Sequence, residues 1–409
     1  MSLLSQLQPP ISVNSPARMS SSELRASVSL ASLFALRLFG MFIILPVFAL
    51  YAQGRPGWDL TLVGVALGAY GLTQGVLQLP FGWLSDRLGR KPLIYFGLAL
   101  LVAGSFLCAV AETPWAMIGG RILQGAGAIS ATVLAMAADL TRETQRTKVM
   151  AIIGSTIGVV FAASFVAGPY LQKTIGVPGI FALTGVFALV AIAVVRFAVP
   201  DAPAVARTAR PVAFSAVMRD PELVRLNVGI FALHAVLMAM FVVVPVALVR
   251  AGLSQGDHWW VYLGTVSVGF VLMVPAVVGP AAAHERPVFL ASIAVVAVSL
   301  ALLSWRLDSL AFIVAGLVIF FAGFNVLEAK LPALVSRAAP REATGAATGL
   351  YSSVQFLGTF AGGAAGGAVA QHAGFATVLV CCLAVTAAWL AVAWNMGDFV
   401  PVASPAPRN

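Results

Sequence analysis

Charge is scarce in this 409-residue chain: Asp, Glu, Lys and Arg together make up 10% of it, against 60% apolar residues. Soluble domains carry about a quarter charged residues, so these side chains cannot cover a water-facing surface for a chain of this length. The mean hydropathy of +0.97 agrees, and the bilayer must be the solvent for most of the molecule. Cysteine is nearly absent. Cys108, Cys381 and Cys382 lie in apolar runs without the spacing of a metal site or loop disulfide, so they read as small buried hydrophobes. No Walker-type Gly-Lys-Ser/Thr loop occurs, which argues against ATP as the drive. No catalytic constellation is recognisable, and no metal or cofactor is expected. The net charge of +9 does not point to nucleic acid, because Lys and Arg fall in short clusters between apolar runs. The first twenty residues hold Pro9, Pro10 and Pro16 and no long apolar core, unlike a signal peptide.

What the chain does have is apolar runs of spanning length. A helix needs about 20 mostly apolar residues to cross the hydrocarbon core. Such runs fall at roughly 26–52, 60–84, 92–112, 114–139, 147–172 and 177–198, then at 223–250, 259–280, 287–305, 309–336, 344–370 and 374–397. Twelve transmembrane helices are expected, in an all-α membrane fold of two six-helix halves. The expected division is a disordered cytoplasmic lead (1–22), the first half (23–199), a central cytoplasmic linker (200–221), the second half (222–398) and a loose tail (399–409). Lys and Arg fix the orientation. Only Arg55, Lys173, Arg250 and Arg306 lie on one side, Arg37, Arg121 and Lys330 lie within spans, and the other 17 of the 24 lie opposite. Both termini are therefore expected in the cytoplasm.

The second half repeats the first. A shift of 199 residues carries Met41-Phe42-Ile43-Ile44-Leu45-Pro46-Val47 onto Met240-Phe241-Val242-Val243-Val244-Pro245-Val246, Glu23-Leu24 onto Glu222-Leu223, and Arg142-Glu143 onto Arg341-Glu342. A shift of 195 carries Lys91-Pro92 onto Arg286-Pro287. Both halves begin on the same side, so the pseudo-twofold runs along the membrane normal, with a site expected at the midplane between them.

Between spans 2 and 3 runs Gly82-Trp83-Leu84-Ser85-Asp86-Arg87-Leu88-Gly89-Arg90-Lys91-Pro92. Gly82 permits close helix approach, Gly89 a tight turn, and Asp86 can accept from Arg90 or a helix N-terminus. This stretch resembles the loop signature of the major facilitator superfamily almost residue for residue. The resemblance implies a cytoplasmic latch of Gly82, Asp86, Arg87, Gly89, Arg90, Lys91 and Asp139, with Asp86 facing Thr344 and Gly345 and Arg90 reaching Asp139. The second half keeps only a worn trace, His284-Glu285-Arg286-Pro287. Gly120-Arg121-Ile122-Leu123-Gln124-Gly125-Ala126-Gly127-Ala128 resembles the family's span-4 element, whose arginine is associated with proton coupling. The alternative for Arg121 is a structural role held by backbone carbonyls. Span 5 carries half of the antiporter signature: Gly154, Gly158 and Gly168-Pro169 match, while Ser155, Ser164 and Tyr170-Leu171-Gln172-Lys173 depart from it.

Several segments resemble the YajR-like subgroup, classed with drug/proton antiporters: Arg37–Phe42, Tyr70–Gln74, Asp139–Glu143, Phe324–Ala329 and Tyr351–Gly358. The characterised type carries a small soluble domain after span 12, and this sequence ends at Asn409 without one.

Ionisable residues well inside spans are few: Arg37, Arg121, His234, Glu328 and Lys330. Such residues are costly in lipid and mark functional sites or internal pairs. Glu328 is the one carboxylate among them. It can carry the proton, form an ion pair with Lys330 or another in-span cation, or touch substrate. Lys330, two residues on, projects differently on a helix and is a poor direct partner. His234, at the repeat position of Ala35, is either a titrating group or a packing residue. Gln74, Gln78, Gln124, Asn325 and Gln355 are candidates to line a cavity, with Phe39, Phe42, Phe241, Phe321 and Phe324 as its apolar walls.

The expectation is a monomeric, multi-pass transporter of the bacterial inner membrane, exporting small lipophilic or drug-like compounds against protons by alternating access. Glu328, Arg121, His234 and Arg37 would serve proton coupling. Its partners would be a small-molecule substrate, protons and the bilayer, with no nucleic acid. The alternatives are a proton symporter or uniporter importing a nutrient, and a non-transporting membrane sensor.

Overall fold

The computed structural model describes residues 19–201, 214–279, 284–340 and 343–397. The lead before Met19, most of the linker and the tail from residue 398 lie outside the described residues. So do Arg18, Arg207, Arg210, Arg341, Glu342 and Arg408, and with them part of the orientation and repeat patterns. Among the described residues the chain is α-helical, without strands.

In the first half, α1 (Ser21–Phe42) and α2 (Leu45–Ala52) make one span, and α3 (Leu60–Leu88) and α4 (Arg90–Val110) the next two. The fourth is α5 (Pro114–Ala126) with α6 (Ser130–Asp139), and α7 (Glu143–Phe197) closes the half. A capping box starts α1: the Ser20 hydroxyl accepts from Glu23 N at 3.2 Å and the Glu23 carboxylate accepts from Ser20 N at 2.9 Å. The span breaks at Ile43-Ile44 because Pro46, with no N–H, leaves the Phe42 carbonyl without its helical donor. Span 4 breaks at Gly127, where Ile129 N turns back onto the Gly127 carbonyl at 2.8 Å.

The second half holds a short α8 (Phe214–Arg219), then α9 (Pro221–Arg250), α10 (His258–Val277), α11 (Glu285–Trp305), α12 (Leu310–Ala338), α13 (Thr344–Ala373) and α14 (Phe375–Trp394). Pro245, the repeat partner of Pro46, lies inside α9 without interrupting it.

Among the described residues ten helical stretches are long and apolar enough to cross a membrane. The difference from twelve has two sources. The 55-residue α7 is two spans joined at Gly176, whose φ of 67° and ψ of 174° are not helical. The other is α13, which lacks the required hydropathy because Gly, Ala and Thr crowd its sequence. Those small residues have a packing reason: a Cβ on Gly363 would lie 2.6 Å from the Gly64 carbonyl of α3, and the glycines of α3 are as tightly placed. A Cβ on Gly68 would lie 2.8 Å from the Phe360 carbonyl, one on Gly71 2.6 Å from that of Phe356, and one on Gly75 2.8 Å from that of Ser353. Here α3 of the first half and α13 of the second touch backbone to backbone, as small residues permit in membrane helices.

The seam is not uniform. It is tight from Gly64 and Gly363, at the end far from the Gly82–Pro92 loop, to Gly75 and Ser353. Toward the loop it loosens: an added Cβ on Gly349 meets only the end of the Leu79 side chain, at 3.1 Å, one on Gly82 only Ala131 of its own half at 3.8 Å, and one on Gly345 nothing within 4 Å. The neighbouring seam between α7 and α10 behaves alike, with Gly158 against Phe270 at 3.5 Å and open space at Gly154. The apolar core follows this shape. One body belongs wholly to the first half at its loop end, and the larger one crosses between the halves at the far end. Cys108 and Cys382 are buried as expected of small hydrophobes, whereas Cys381 is on the exposed face of α14.

Candidate functional site: buried charge in two halves

In the first half α1 delivers Arg37 to a pocket formed by α3 and α6. Its Nη1 donates to Ser130 Oγ at 2.5 Å, and its Nη2 donates to the Tyr70 hydroxyl at 2.8 Å and to Gln74 Oε1. Gln74 in turn donates to Gln78 Oε1 at 2.5 Å. Every partner is neutral, and all of these side chains are buried. Arg121, on α5, is held the same way. Its Nε donates to the Ala66 carbonyl at 3.2 Å and its Nη1 to Gln124 Oε1 at 2.9 Å, and its guanidinium lies 5.1 Å from the Tyr70 ring centre. Gln124 donates onward to Ser105 at 2.8 Å. Arg121 therefore has the backbone-carbonyl setting of its structural alternative, and its hydrogen bonds stay within the first half. Gln74 and Gln124 each accept from one of the two arginines, and Gln78 accepts from Gln74 in turn.

In the second half α9, α12 and α13 bring together His234, Glu328 and Gln355. Gln355 Nε2 lies 2.8 Å from His234 Nε2 and 3.4 Å from Glu328 Oε1, and His234 Nε2 is 3.8 Å from Glu328 Oε2. Among the described residues no Lys or Arg pairs with Glu328. Lys330 has Glu285 and Arg337 as its electrostatic neighbours instead. Asn325 Nδ2 and the Tyr351 hydroxyl are buried without hydrogen-bond partners. Tyr70 and Phe356 rings, 6.4 Å apart across the seam, link the two clusters, because Phe356 follows Gln355 on α13.

On the loop side, Arg90 pairs with Asp86 at 2.7 Å and with Asp139 at 3.1 Å, and it also donates to Ser85. Gly89 has φ 92°, the left-handed turn that separates α3 from α4. Lys91 Nζ donates to the Val199 carbonyl at 2.8 Å and pairs with Asp201 at 2.6 Å. Arg87 stacks on Trp83 at 3.9 Å. Thr344 turns its hydroxyl to the Pro340 carbonyl at 3.1 Å.

The sequence profile of the Major Facilitator Superfamily matches residues 30–284. The inner membrane transport protein YajR of Escherichia coli is 41% identical over 347 residues, 83% of this chain and 76% of that protein. The chain belongs to the major facilitator superfamily. The nucleoside transporter NupG, solved as a point mutant, superposes with a TM-score of 0.71 at 12% identity, over 90% of this chain and 99% of that one, and shows the shared fold. A shorter match, 38% identical over 88 residues and 22% of each chain, is to the multidrug resistance protein MdtH of Yersinia enterocolitica.

Within this facilitator fold an aromatic layer closes the far side of the Glu328 cluster. Phe42 packs on Phe161 at 5.1 Å, Phe161 stacks on Phe324 at 6.0 Å, and Phe165 meets Phe241 at 4.8 Å and Tyr262 at 5.6 Å. Phe321 lies 6.2 Å from Phe161, so the layer takes rings from both halves. Phe39 falls outside it, packed on Phe187 of its own half at 5.8 Å. In span 5, Gly168 receives the broken turn of span 1: a Cβ there would lie 2.6 Å from the Ile43 carbonyl and 3.0 Å from Pro46.

Sequence reasoning missed Tyr70, Ser130 and Tyr351, together with the rings of Phe161, Phe165 and Tyr262. Tyr70 and Tyr351 each open a segment of family resemblance, and that position was their only signal. The others are ordinary hydrophobic-run residues that only the packing singles out.

Proposed function

We propose that the chain is a proton-coupled exporter of small lipophilic compounds in the bacterial inner membrane, working as a monomer with both termini in the cytoplasm. The observation that carries this reading is Glu328, an intramembrane carboxylate whose described polar neighbours are the imidazole of His234, the amide of Gln355 and the phenol of Tyr351, and no fixed cation. A carboxylate neutralised permanently by Arg or Lys has no reason to exchange a proton. One facing His234 does, because no fixed cation holds its charge and it can take up or release a proton as water reaches the cluster. Proton arrival from the far side would favour the state with the loop side open, and release there would let cargo bind and favour the return to the state open on the far side. The aromatic layer offers apolar contact rather than a dense set of directional groups, which suits lipophilic cargo. The partial likeness to a multidrug resistance protein supports export. The half-kept span-5 signature supports it less.

Purified protein in liposomes, with an imposed pH gradient and a panel of lipophilic fluorescent dyes, tests the reading. Dye movement opposite to proton flow is expected, with loss in Glu328→Gln. Coupled movement that survives Glu328→Gln removes the proton role from this residue, and dye moving with the protons would make the protein a symporter.

A further inference from the structure

Glu285 and Arg337 have no part in the site above, yet they reproduce its loop-side geometry with the charges exchanged. The shift of 195 residues carries Arg90 onto Glu285, Lys91 onto Arg286 and Val199 onto Trp394. Lys91 donates to the Val199 carbonyl at 2.8 Å, and Arg286 Nη2 donates to the Trp394 carbonyl at 2.7 Å. Arg90 pairs with Asp139 at 3.1 Å, and Glu285 pairs with Arg337 at 2.7 Å. Asp139 is the last residue of α6 and Arg337 the last but one of α12. The second-half loop is thus more than a worn trace: it makes the same two connections in opposite polarity.

Polarity matters because a helix carries partial positive charge at its N-terminus and partial negative charge at its C-terminus. Arg90 opens α4 and Asp139 ends α6, so each first-half charge sits at a helix end of its own sign. Glu285 opens α11 and Arg337 lies in the last turn of α12, so each second-half charge sits at an end of opposite sign. Arg90 is also shared between two carboxylates, Asp86 and Asp139. Glu285 by contrast has a second cation nearby, Lys330.

We infer that Glu285 and Arg337 are positioning residues, a fixed brace that holds the loop end of α12 against α11, while the Arg90–Asp139 pair is the labile member. The brace lies nine residues from Glu328 on the same helix, about 13–14 Å of rise, and sets where α12 presents that residue. The last step rests on the proposed role of Glu328, and the brace itself does not.

The test uses the full chain with Cys108, Cys381 and Cys382 replaced by serine. It reads thermal unfolding and the maleimide labelling rate of Ala329→Cys, an exposed position beside Glu328. Neither readout needs transport, so failure of the proton reading would leave both unaffected. Glu285→Gln and Arg337→Gln are each expected to lower the unfolding temperature by several degrees and change the labelling rate several-fold. The exchanged variant, Glu285→Arg with Arg337→Glu, restores the pair but opposes the helix ends, so it should fall between the single variants and the parent in both readouts. Glu285→Asp keeps the charge and serves if the glutamine variants do not fold, with an intermediate effect expected. An exchanged variant equal to the parent would overturn the helix-end argument. Unfolding shifts with labelling unchanged, or no change in either, would overturn the brace.

Discussion

The two halves share a fold and a repeat, and they hold buried charge in opposite ways. The first fixes two guanidiniums with neutral hydroxyls, amides and carbonyls: Ser130, Tyr70 and Gln74 around Arg37, and Ala66 and Gln124 around Arg121. The second places a carboxylate beside an imidazole with an amide between them. Guanidinium keeps its charge at any working pH, so the first half offers constant positive charge. Carboxyl and imidazole are titratable groups, so under the proposed function the second half offers variable charge. The backbone differs in parallel. Spans 1 and 4, which carry the arginines, are broken at Ile43-Ile44 and Gly127, whereas α9, which carries His234, passes Pro245 without a break. Under the proposed function, the half with the broken spans anchors fixed charge and the half with the continuous α9 holds the pair that titrates.

The sharpest way to break this comparison is to make the variable charge constant. Glu328→Gln keeps the shape and the hydrogen bond to Gln355 but removes the titrating group. Movement of dye driven by a pH gradient should fall by about an order of magnitude or more, as expected for a functional intramembrane acid. Exchange without a gradient should persist. Glu328→Asp should retain part of the coupling, since charge remains while the reach to His234 shortens.

The seam between the halves provides the next largest effect. A side chain at Gly71 would press on the Phe356 backbone, with its first carbon 2.6 Å from the carbonyl. Overpacking of this kind costs about 1–3 kcal/mol, but here relief is available by parting the halves at the far side. Gly71→Val should therefore reduce transport several-fold and raise the labelling of cysteines placed in the aromatic layer. Gly345→Val, in open space on the loop side, should leave that labelling unchanged. Equal effects at both positions would mean that the seam is not the element that closes the far side.

The constant charge is open to a stability test. Arg37→Met strips Ser130, Tyr70 and Gln74 of a shared donor in a buried pocket, at about 1–3 kcal/mol for each buried group left unsatisfied. Unfolding several degrees lower is expected, measured in detergent by tryptophan fluorescence. Arg121→Met should cost less, because the Ala66 and Leu67 carbonyls it contacts already belong to the α3 helix.

Much of this arrangement could be read in the sequence. Apolar runs, a repeat of 199 and the Gly82–Pro92 loop suffice for two six-span halves, because helix length and basic-residue placement are answers to the bilayer itself. Glu328 stood out as the one in-span carboxylate. The partners of Arg37 could not be read, since Ser130 and Gln74 reach it from separate helices and neither spacing nor residue type ties them to α1. The setting of Gln124 could not be read for a related reason. A polar residue in a span can face a cavity or satisfy a neighbour, and only the position of Arg121 and Ser105 decides which. The glycines of α13 serve two neighbours, Gly358, Gly362 and Gly366 against α9 and Gly363 and Gly367 against α3 of the other half, and their spacing does not tell which neighbour each one meets.

The smallest effect concerns the loop side of the first half, where Lys91 meets an exposed Asp201 at 2.6 Å. The ammonium of Lys91 holds the Asp201 carboxyl below its ordinary value, chiefly through their hydrogen bond. A group with its folded value lowered contributes stability above its unfolded value, and loses that contribution as pH falls through the folded one. Screening by solvent keeps an exposed pair weak. Asp201→Asn should thus shift unfolding by no more than about a degree between pH 8 and pH 5, by a constant amount. The gap from the parent should close only below roughly pH 4, where the unfolded chain takes up the proton. A gap that varied between pH 5 and pH 8 would show that Asp201 is coupled to a group titrating near neutrality. Variable charge would then extend into the first half, and the contrast between the halves would fail at its loop end.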